Sequence, residues 1–255
     1  MGQQTRNRPF VVVTSWDDGH ILDLKLAEKL EKYGVKGTFF VPSRSRGVVD
    51  GRGLDDDSVC YLGEIGEVGS HSVSHPNLLK LDRGKAFEEI KRSKHELETI
   101  LRKRVVGFCY PMSRYDEGIK NLVARAGYEY ARVVDDFSFC MMSLGEFEVR
   151  TTVEARRKSV ISKDTASKVV RDFRVARYLP HFKKWDSLAM KIFDFCWKNI
   201  GVFHLWGHSW DIEKSGDWDK LDRVLDYVGN RNATEYLTLQ QYVRMTRTSS
   251  SRLSP

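Results

Sequence analysis

The sequence predicts an α/β protein built on a parallel sheet with helical crossovers, and three observations predict it. Short apolar runs alternate with amphipathic stretches of helical period along most of the chain. The connections are short and are often closed by Gly or Pro. The unusual polar motifs TSWDDGH, GSHSVSH, CYPMSRY and HLWGHSW fall at the C-terminal ends of predicted strands. Barrels and open α/β sheets place their sites there.

Taken in order, Phe10–Ser15 is a strand, and Leu22–Tyr33 carries apolar residues at helical spacing until Gly34 stops it. Gly37–Val41 is the next strand, closed by Pro42, and Ser43–Asp57 is a long polar loop. Glu67–Ser72 is a short strand, Gly84–Arg102 a long amphipathic helix, and Val105–Tyr110 a strand stopped by Pro111. A helix over Asp116–Ala126 ends at Gly127, and strands over Tyr128–Val134 and Phe147–Val153 follow. Helices are expected over Thr165–Leu179 and Trp185–Asn199, a strand over Gly201–Trp206, and a helix over Trp218–Val228. Tyr236–Arg244 reads as a short strand leading into a helix. No linker or fixed-period repeat divides the chain. One domain over residues 1–245 is expected, followed by a flexible tail over 246–255.

The 255 residues are 41% hydrophobic and 30% charged, enough apolar material for a full core, so disorder is not the reading. The net charge of +7 comes from basic residues interleaved with acidic ones, as in EEIKRSKHELETILRKR over 88–104, which is the pattern of a solvated helix face. No nucleic-acid partner is expected, although Arg102–Arg104 and Arg156–Lys158 form local basic clusters. Cys60, Cys109, Cys140 and Cys196 make no metal or disulfide pattern, and Cys109 and Cys196 sit among apolar neighbours as buried thiols. No apolar run approaches the ~18 residues of a membrane span, and MGQQTRNRPF has no signal-peptide core. A cytoplasmic chain with no membrane partner is expected, with secretion left open for a longer precursor.

Three histidines and two aspartates carry the chemistry. His71 and His75 form an HxxxH pair, but Ser and Val fill the gap and Pro76 biases His75 towards an extended backbone. The segment reads as a strand end turning into a loop, with both imidazoles aimed into the mouth of the sheet. Catalytic zinc takes three protein ligands and leaves a position open. The adjacent Asp17 and Asp18 offer the missing carboxylate and a second one to act as a base. His208, bracketed by Trp206 and Trp210, is a candidate proton donor to a leaving amine. His204 shares its face, lies deeper and reads as a hydrogen-bonded core group. His20, His95 and His181 look structural or exposed. Asp55–Asp57 are assigned to a polar loop and Asp135–Asp136 to a connection.

Together these residues resemble the polysaccharide deacetylase family (carbohydrate esterase family 4, the NodB-homology domain). Ser15-Trp16-Asp17-Asp18-Gly19 is similar to its T-F-D-D-G motif, and His71-Ser72-Val73-Ser74-His75 to its H-[ST]-x-x-H motif. Gly207-His208-Ser209 is similar to its late motif. The resemblance implies a distorted (β/α) barrel with about seven parallel strands and metal-dependent hydrolysis of an N-acetyl amide on an amino-sugar substrate. It implies that Asp17 is the base, that Asp18, His71 and His75 bind a divalent metal (zinc, with cobalt or nickel as alternatives), and that His208 is the acid. Trp206, Trp210, Asp211 and Tyr110 would contact the substrate.

The family's R-x-P-Y-G motif corresponds here to Cys109-Tyr110-Pro111-Met112-Ser113, so Cys109 stands where an Arg is expected to orient the base. The Met112 backbone N–H can still serve an oxyanion, and Arg114, Arg132 and Arg150 are the candidates to replace the lost cation. A related amidohydrolase acting on a small amide or cyclic imide, and a non-catalytic carbohydrate-binding protein, are the alternatives.

Overall fold

The structure is a computed structural model that describes residues 9–44, 46–135, 145–156, 179–181, 184–199 and 201–251. The chain folds as an α/β protein in which seven parallel strands form a half-barrel, as the sequence predicts. The strands are β1 (Phe10–Asp17), β2 (Gly37–Val41), β3 (Glu67–Ser70), β4 (Gly107–Cys109), β5 (Tyr130–Arg132), β6 (Val153–Glu154) and β7 (Val202–Gly207). Their order is β5-β4-β3-β2-β1-β7-β6. An eighth strand, β8 (Thr234–Leu237), pairs in parallel with Phe10–Val13 of β1, below the stretch where Thr14–Asp17 pair with β2.

The helices are α1 (Asp23–Lys32), α2 (Asp56–Ile65), α3 (Arg83–Leu101), α4 (Glu117–Arg125), α5 (Trp185–Asn199), α6 (Ser209–Ser215), α7 (Trp218–Val228) and α8 (Leu239–Ser251). Strand alternation sorts the core into two layers. Phe10, Val12 and Trp16 of β1 and Phe203 and Leu205 of β7 face the helices. Val11, Val13, Phe40, Cys109, Tyr130 and Val202 face the interior of the half-barrel, where Leu239, Tyr242 and Val243 of α8 close one end. By the same parity Ser15 and Asp17, His204 and Trp206, and Arg132 fall on the interior face. The fold thus delivers the polar residues to one lumen.

Three expectations are corrected. Asp55–Asp57 do not lie in a loop: Asp55 caps α2, accepting from Ser58 N–H at 2.8 Å, and Asp56 and Asp57 form its first turn. Acidic residues favour that position because they satisfy free N–H groups and oppose the helix dipole. The segment from Thr246 is helical as far as Ser251 rather than a free tail, and Arg247 donates to the Glu129 carbonyl at 2.6 Å. The strand predicted over Phe147–Val153 is reduced to a bridge between Val149 and Arg132 followed by β6. Cys109 and Cys196 are buried thiols, as expected. Except for Leu179, the helix predicted over 165–179 lies outside the described residues, as do Asp136, Cys140, Arg157 and Lys158.

Candidate active site

Asp17 ends β1 and points inward, while Asp18 turns the chain with φ of 82° and Gly19 continues it at 59°. A side chain at Gly19 would be strained there and would meet Val41 Cγ1 at 2.9 Å, so the turn needs glycine. The loop after β2 locks this turn: Gly47 N–H donates to Asp18 O (3.0 Å), Leu54 N–H to Gly19 O (3.0 Å), and buried His20 pairs with Asp50 (3.1 Å). Positive φ recurs at Ser72 (67°), His75 (56°), Met112 (56°) and Ser113 (53°), all in the loops at the same end of the sheet. Strain of this kind persists where surrounding bonds over-determine it.

His75 is therefore not extended as Pro76 led us to expect. The Glu89 carboxylate of α3 gathers Val73 N–H (3.0 Å), Ser74 N–H (2.9 Å) and Ser74 Oγ (2.8 Å), and Ser72 Oγ accepts from His75 N–H (3.0 Å). These bonds impose a tight turn that overrides the proline bias. The turn places His75 Nε2 at 3.6 Å and His71 Nε2 at 3.8 Å from Asp18 Oδ1.

Those separations are too long for hydrogen bonds. They suit donor atoms arranged about one cation, since tetrahedral ligands at ~2.1 Å lie about 3.4 Å apart. Three further facts support the fit. Asp18 Oδ1 is buried with no hydrogen-bond partner. The His71 ring donates from Nδ1 to the Cys109 carbonyl at 2.8 Å, which leaves the Nε2 lone pair facing Asp18. Burial pushes the His71 imidazolium down to about 4, so the ring is neutral at physiological pH. Asp18, His71 and His75 thus fit a divalent metal.

Trp210, expected to contact substrate, donates its indole N–H to Asp18 Oδ2 at 3.0 Å and orients that carboxylate. His208 Nε2 stands 3.7 Å from the same oxygen, with its ring between Trp206 and Trp210 at centroid distances of 5.6 and 5.1 Å. Trp206 is nearly buried, and Asp211 Oδ2 lies 3.5 Å from Arg156 Nε. His204 is the core group expected: its Nδ1 donates to Arg150 O (2.8 Å) and its Nε2 accepts from Ser15 Oγ (2.9 Å).

The cation missing from position 109 is supplied by Arg132. This side chain, fully buried at the end of β5, reaches across the lumen and donates from Nη2 to Asp17 Oδ1. Its guanidinium lies 5.3 Å from the Phe40 ring and 5.1 Å from the Trp206 ring. Cys109 and Arg132 are register partners on adjacent strands, so the charge has moved one strand along. Burial alone would raise the Asp17 carboxyl, but Arg132, with His71 and His208 nearby, holds it below its usual range. The Cys109 thiol, 3.9 Å from Asp17 Oδ2, is pushed well up by burial and is neutral. Arg114 is exposed and Arg150 pairs with Asp135 (3.1 Å), so neither competes for Asp17.

Tyr110 is a core residue. It stacks on Tyr115 at 4.6 Å and donates its hydroxyl to Phe147 O at 3.2 Å, away from the mouth. Met112, by contrast, is 59% exposed at the crest of the turn that Ser113 and Arg114 close with bonds to Tyr110 O and Pro111 O. Glu89 and Trp210's bond to Asp18 were not readable as site features from residue type and spacing, and Arg132 was one of three candidates that spacing did not separate.

A sequence model of the polysaccharide deacetylase family matches residues 4–131, just over half of the chain and including Asp17, Asp18, His71, His75 and Met112. Among solved structures, a polysaccharide deacetylase-like protein of Mycobacterium smegmatis shares the fold at 15% identity and a TM-score of 0.69. The match covers 100% of this chain and 95% of that one. The peptidoglycan deacetylase PdaC of Bacillus subtilis aligns at 16% identity and TM-score 0.57, covering 96% and 95% of the two chains. The chitin deacetylase of Colletotrichum lindemuthianum aligns at 17% and 0.56, covering 92% and 88%. No curated protein sequence matches the chain. With a family model matched over just more than half of its length, the chain belongs to the polysaccharide deacetylase family.

Proposed function

We propose that this protein removes N-acetyl groups from N-acetylglucosamine-containing oligo- or polysaccharides, releasing acetate. The observation that carries the reading is the division of labour between adjacent carboxylates: Asp18 faces two imidazoles and Asp17 faces a guanidinium. A divalent metal, zinc in the first instance, would be held by Asp18, His71 and His75 and would supply Lewis acidity towards the acetyl carbonyl and the attacking water.

The residues of the chain do the rest. Asp17, kept ionised by Arg132, takes the proton of the attacking water. The N–H of Met112, at the crest of its strained turn, is the donor for the oxygen on which charge would develop. His208, partly desolvated between two tryptophans, protonates the departing amine. Water and amide become acetate and a free amino sugar. Trp210 fixes the Asp18 carboxylate, and Trp206 and Asp211 frame the approach. No helix among the described residues is long and apolar enough to cross a membrane.

The test is acetate release by the zinc-loaded protein from chitin oligomers and peptidoglycan fragments, the substrates for which two fold neighbours are named. Turnover of small amides or cyclic imides with no acetate from any glycan would overturn this reading.

A further inference from the structure

One buried carboxyl group beside the site has no part in the reaction just described. Asp23, the first residue of α1, is fully buried, three positions beyond His20. Ser209 donates its hydroxyl to Asp23 Oδ1 at 2.6 Å, across 186 positions of sequence, and Asp23 Oδ2 is buried without a partner. The Asp23 N–H donates to His20 O at 2.8 Å, which ties it to the turn carrying Asp17 and Asp18. Burial raises this carboxyl well above its usual range, and the nearby charges of Asp18 and Asp17 add to the effect.

Ser209 is itself fully buried and sits between His208 and Trp210. His208 has no hydrogen bond on its buried Nδ1, so no side-chain partner on that nitrogen aims the ring. Its direction is set by two tryptophan contacts and by the backbone just ahead of α6, where His208 is extended at φ −131°. That backbone is joined to the Asp17–Asp18 turn at two points: Trp210 to Asp18, and Ser209 to Asp23.

We infer that Asp23 is a positioning residue: through Ser209 it fixes the arm that carries His208, and so sets where His208 stands relative to the reacting centre. This rests on the reading of His208 as proton donor. A structural tie alone would damage every reaction equally. A tie that positions the donor damages only reactions whose leaving group needs a proton.

The experiment compares chitohexaose, whose amine must be protonated, with 4-methylumbelliferyl acetate, whose phenolate leaves without help. Replacing His208 by Ala should lower kcat on the amide roughly 10²–10⁴-fold and lower that on the ester far less. Ser209→Ala should lower amide kcat about tenfold with KM little changed, and likewise affect the ester far less. Asp23→Leu removes the acceptor and should match Ser209→Ala, whereas Asp23→Asn, which keeps an acceptor oxygen for the Ser209 hydroxyl, should lose less.

A Ser209→Ala protein with full amide turnover, or one that loses amide and ester alike, overturns the inference. So does Asp23→Asn with a loss matching that of Ser209→Ala. His208→Ala losing both activities equally removes the donor role and the inference with it. If the wild type cleaves no acetylated glycan, the substrate reading fails, and the same comparison is made on the small amide it does cleave.

Discussion

The half-barrel holds two buried polar clusters, one at each end of the same strands. At the N-terminal end, the Glu67 carboxylate accepts from Tyr130 Oη (2.6 Å) on one oxygen. On the other it accepts from Thr38 Oγ1 (3.0 Å) and Gln240 N–H (2.8 Å). Leu239 N–H in turn donates to Thr38 Oγ1 at 2.9 Å, so the cluster anchors the start of α8. At the C-terminal end, Asp18 Oδ1, His208 Nδ1, and Arg132 Nε and Nη1 are buried with no hydrogen-bond partner.

The first cluster is closed and the second is open. Buried polar atoms are normally satisfied, and leaving one unpaired costs about 1–3 kcal/mol. A cluster that leaves several open gains its compensation from what binds there. The difference separates Glu67, whose two oxygens are both satisfied, from Asp18, whose Oδ1 is left open between two imidazoles.

The largest effect should come from the open cluster. Replacing Asp17 by Asn preserves shape but removes the base, so kcat should fall roughly 10³-fold. Zinc content measured on the purified variant should stay stoichiometric, because Asp18, His71 and His75 are untouched. Full retention of rate would take the base role from Asp17.

Next comes the relocated cation. Arg132→Met leaves Asp17 buried without its counter-charge, which raises its carboxyl. The base must be ionised to act, so the low-pH limb of the rate profile should move to higher pH, with about a 10²-fold loss at neutral pH. Adding Cys109→Arg returns a guanidinium to a position whose side chain already lies 3.9 Å from Asp17. The double variant should recover at least tenfold over Arg132→Met, measured as acetate release across pH. No recovery would show that Arg132 acts by packing between Phe40 and Trp206 rather than by charge.

What the sequence made legible follows this divide only in part. Asp17, Asp18, His71, His75 and His208 stood out because charged or metal-binding types sat at strand ends, where burial makes them costly. Arg132 was one of three equal candidates, because register across the sheet is not written in local spacing. Its one trace is an arginine inside the apolar strand YEYARVV, two positions from Tyr130, hence on the same face. Glu89 was hidden for the opposite reason: a mixed-charge helix reads as solvated, although Glu89 shapes the His75 turn. Helix α6 has only seven residues, too few to show a period, and α2 begins in an acidic run that resembles a loop.

The closed cluster gives a smaller effect of a different kind. Glu67→Ala strands the Tyr130 hydroxyl, the Thr38 hydroxyl and Gln240 N–H, and should cost about 2–3 kcal/mol of stability in urea unfolding. The turnover of the folded protein at low temperature should stay within about twofold of wild type. A loss of activity without a loss of stability would contradict the assignment of this end of the barrel to structure.

The smallest effect lies outside both clusters, at the start of the loop after β2. Glu96 of α3 accepts from Ser43 Oγ (2.7 Å), Arg44 Nε (2.8 Å) and Arg92 Nε (2.8 Å), tying that helix to the start of the loop after β2. Partial burial opposes ionisation, but Arg44, Ser43 and Arg92 bring the carboxyl down to about 2 from its usual 4.5. A depressed carboxyl contributes stability above pH 4.5, and that contribution is lost as the pH falls towards 2. Both arginines are about half exposed or more, at 62% and 49%, so screening limits the effect to about 1 kcal/mol. Glu96→Gln should therefore lower the melting temperature by about 2–4 °C at pH 7. The gap should close near pH 2 and shrink at high salt. A gap unchanged across that range would mean that the carboxylate holds the loop by shape alone.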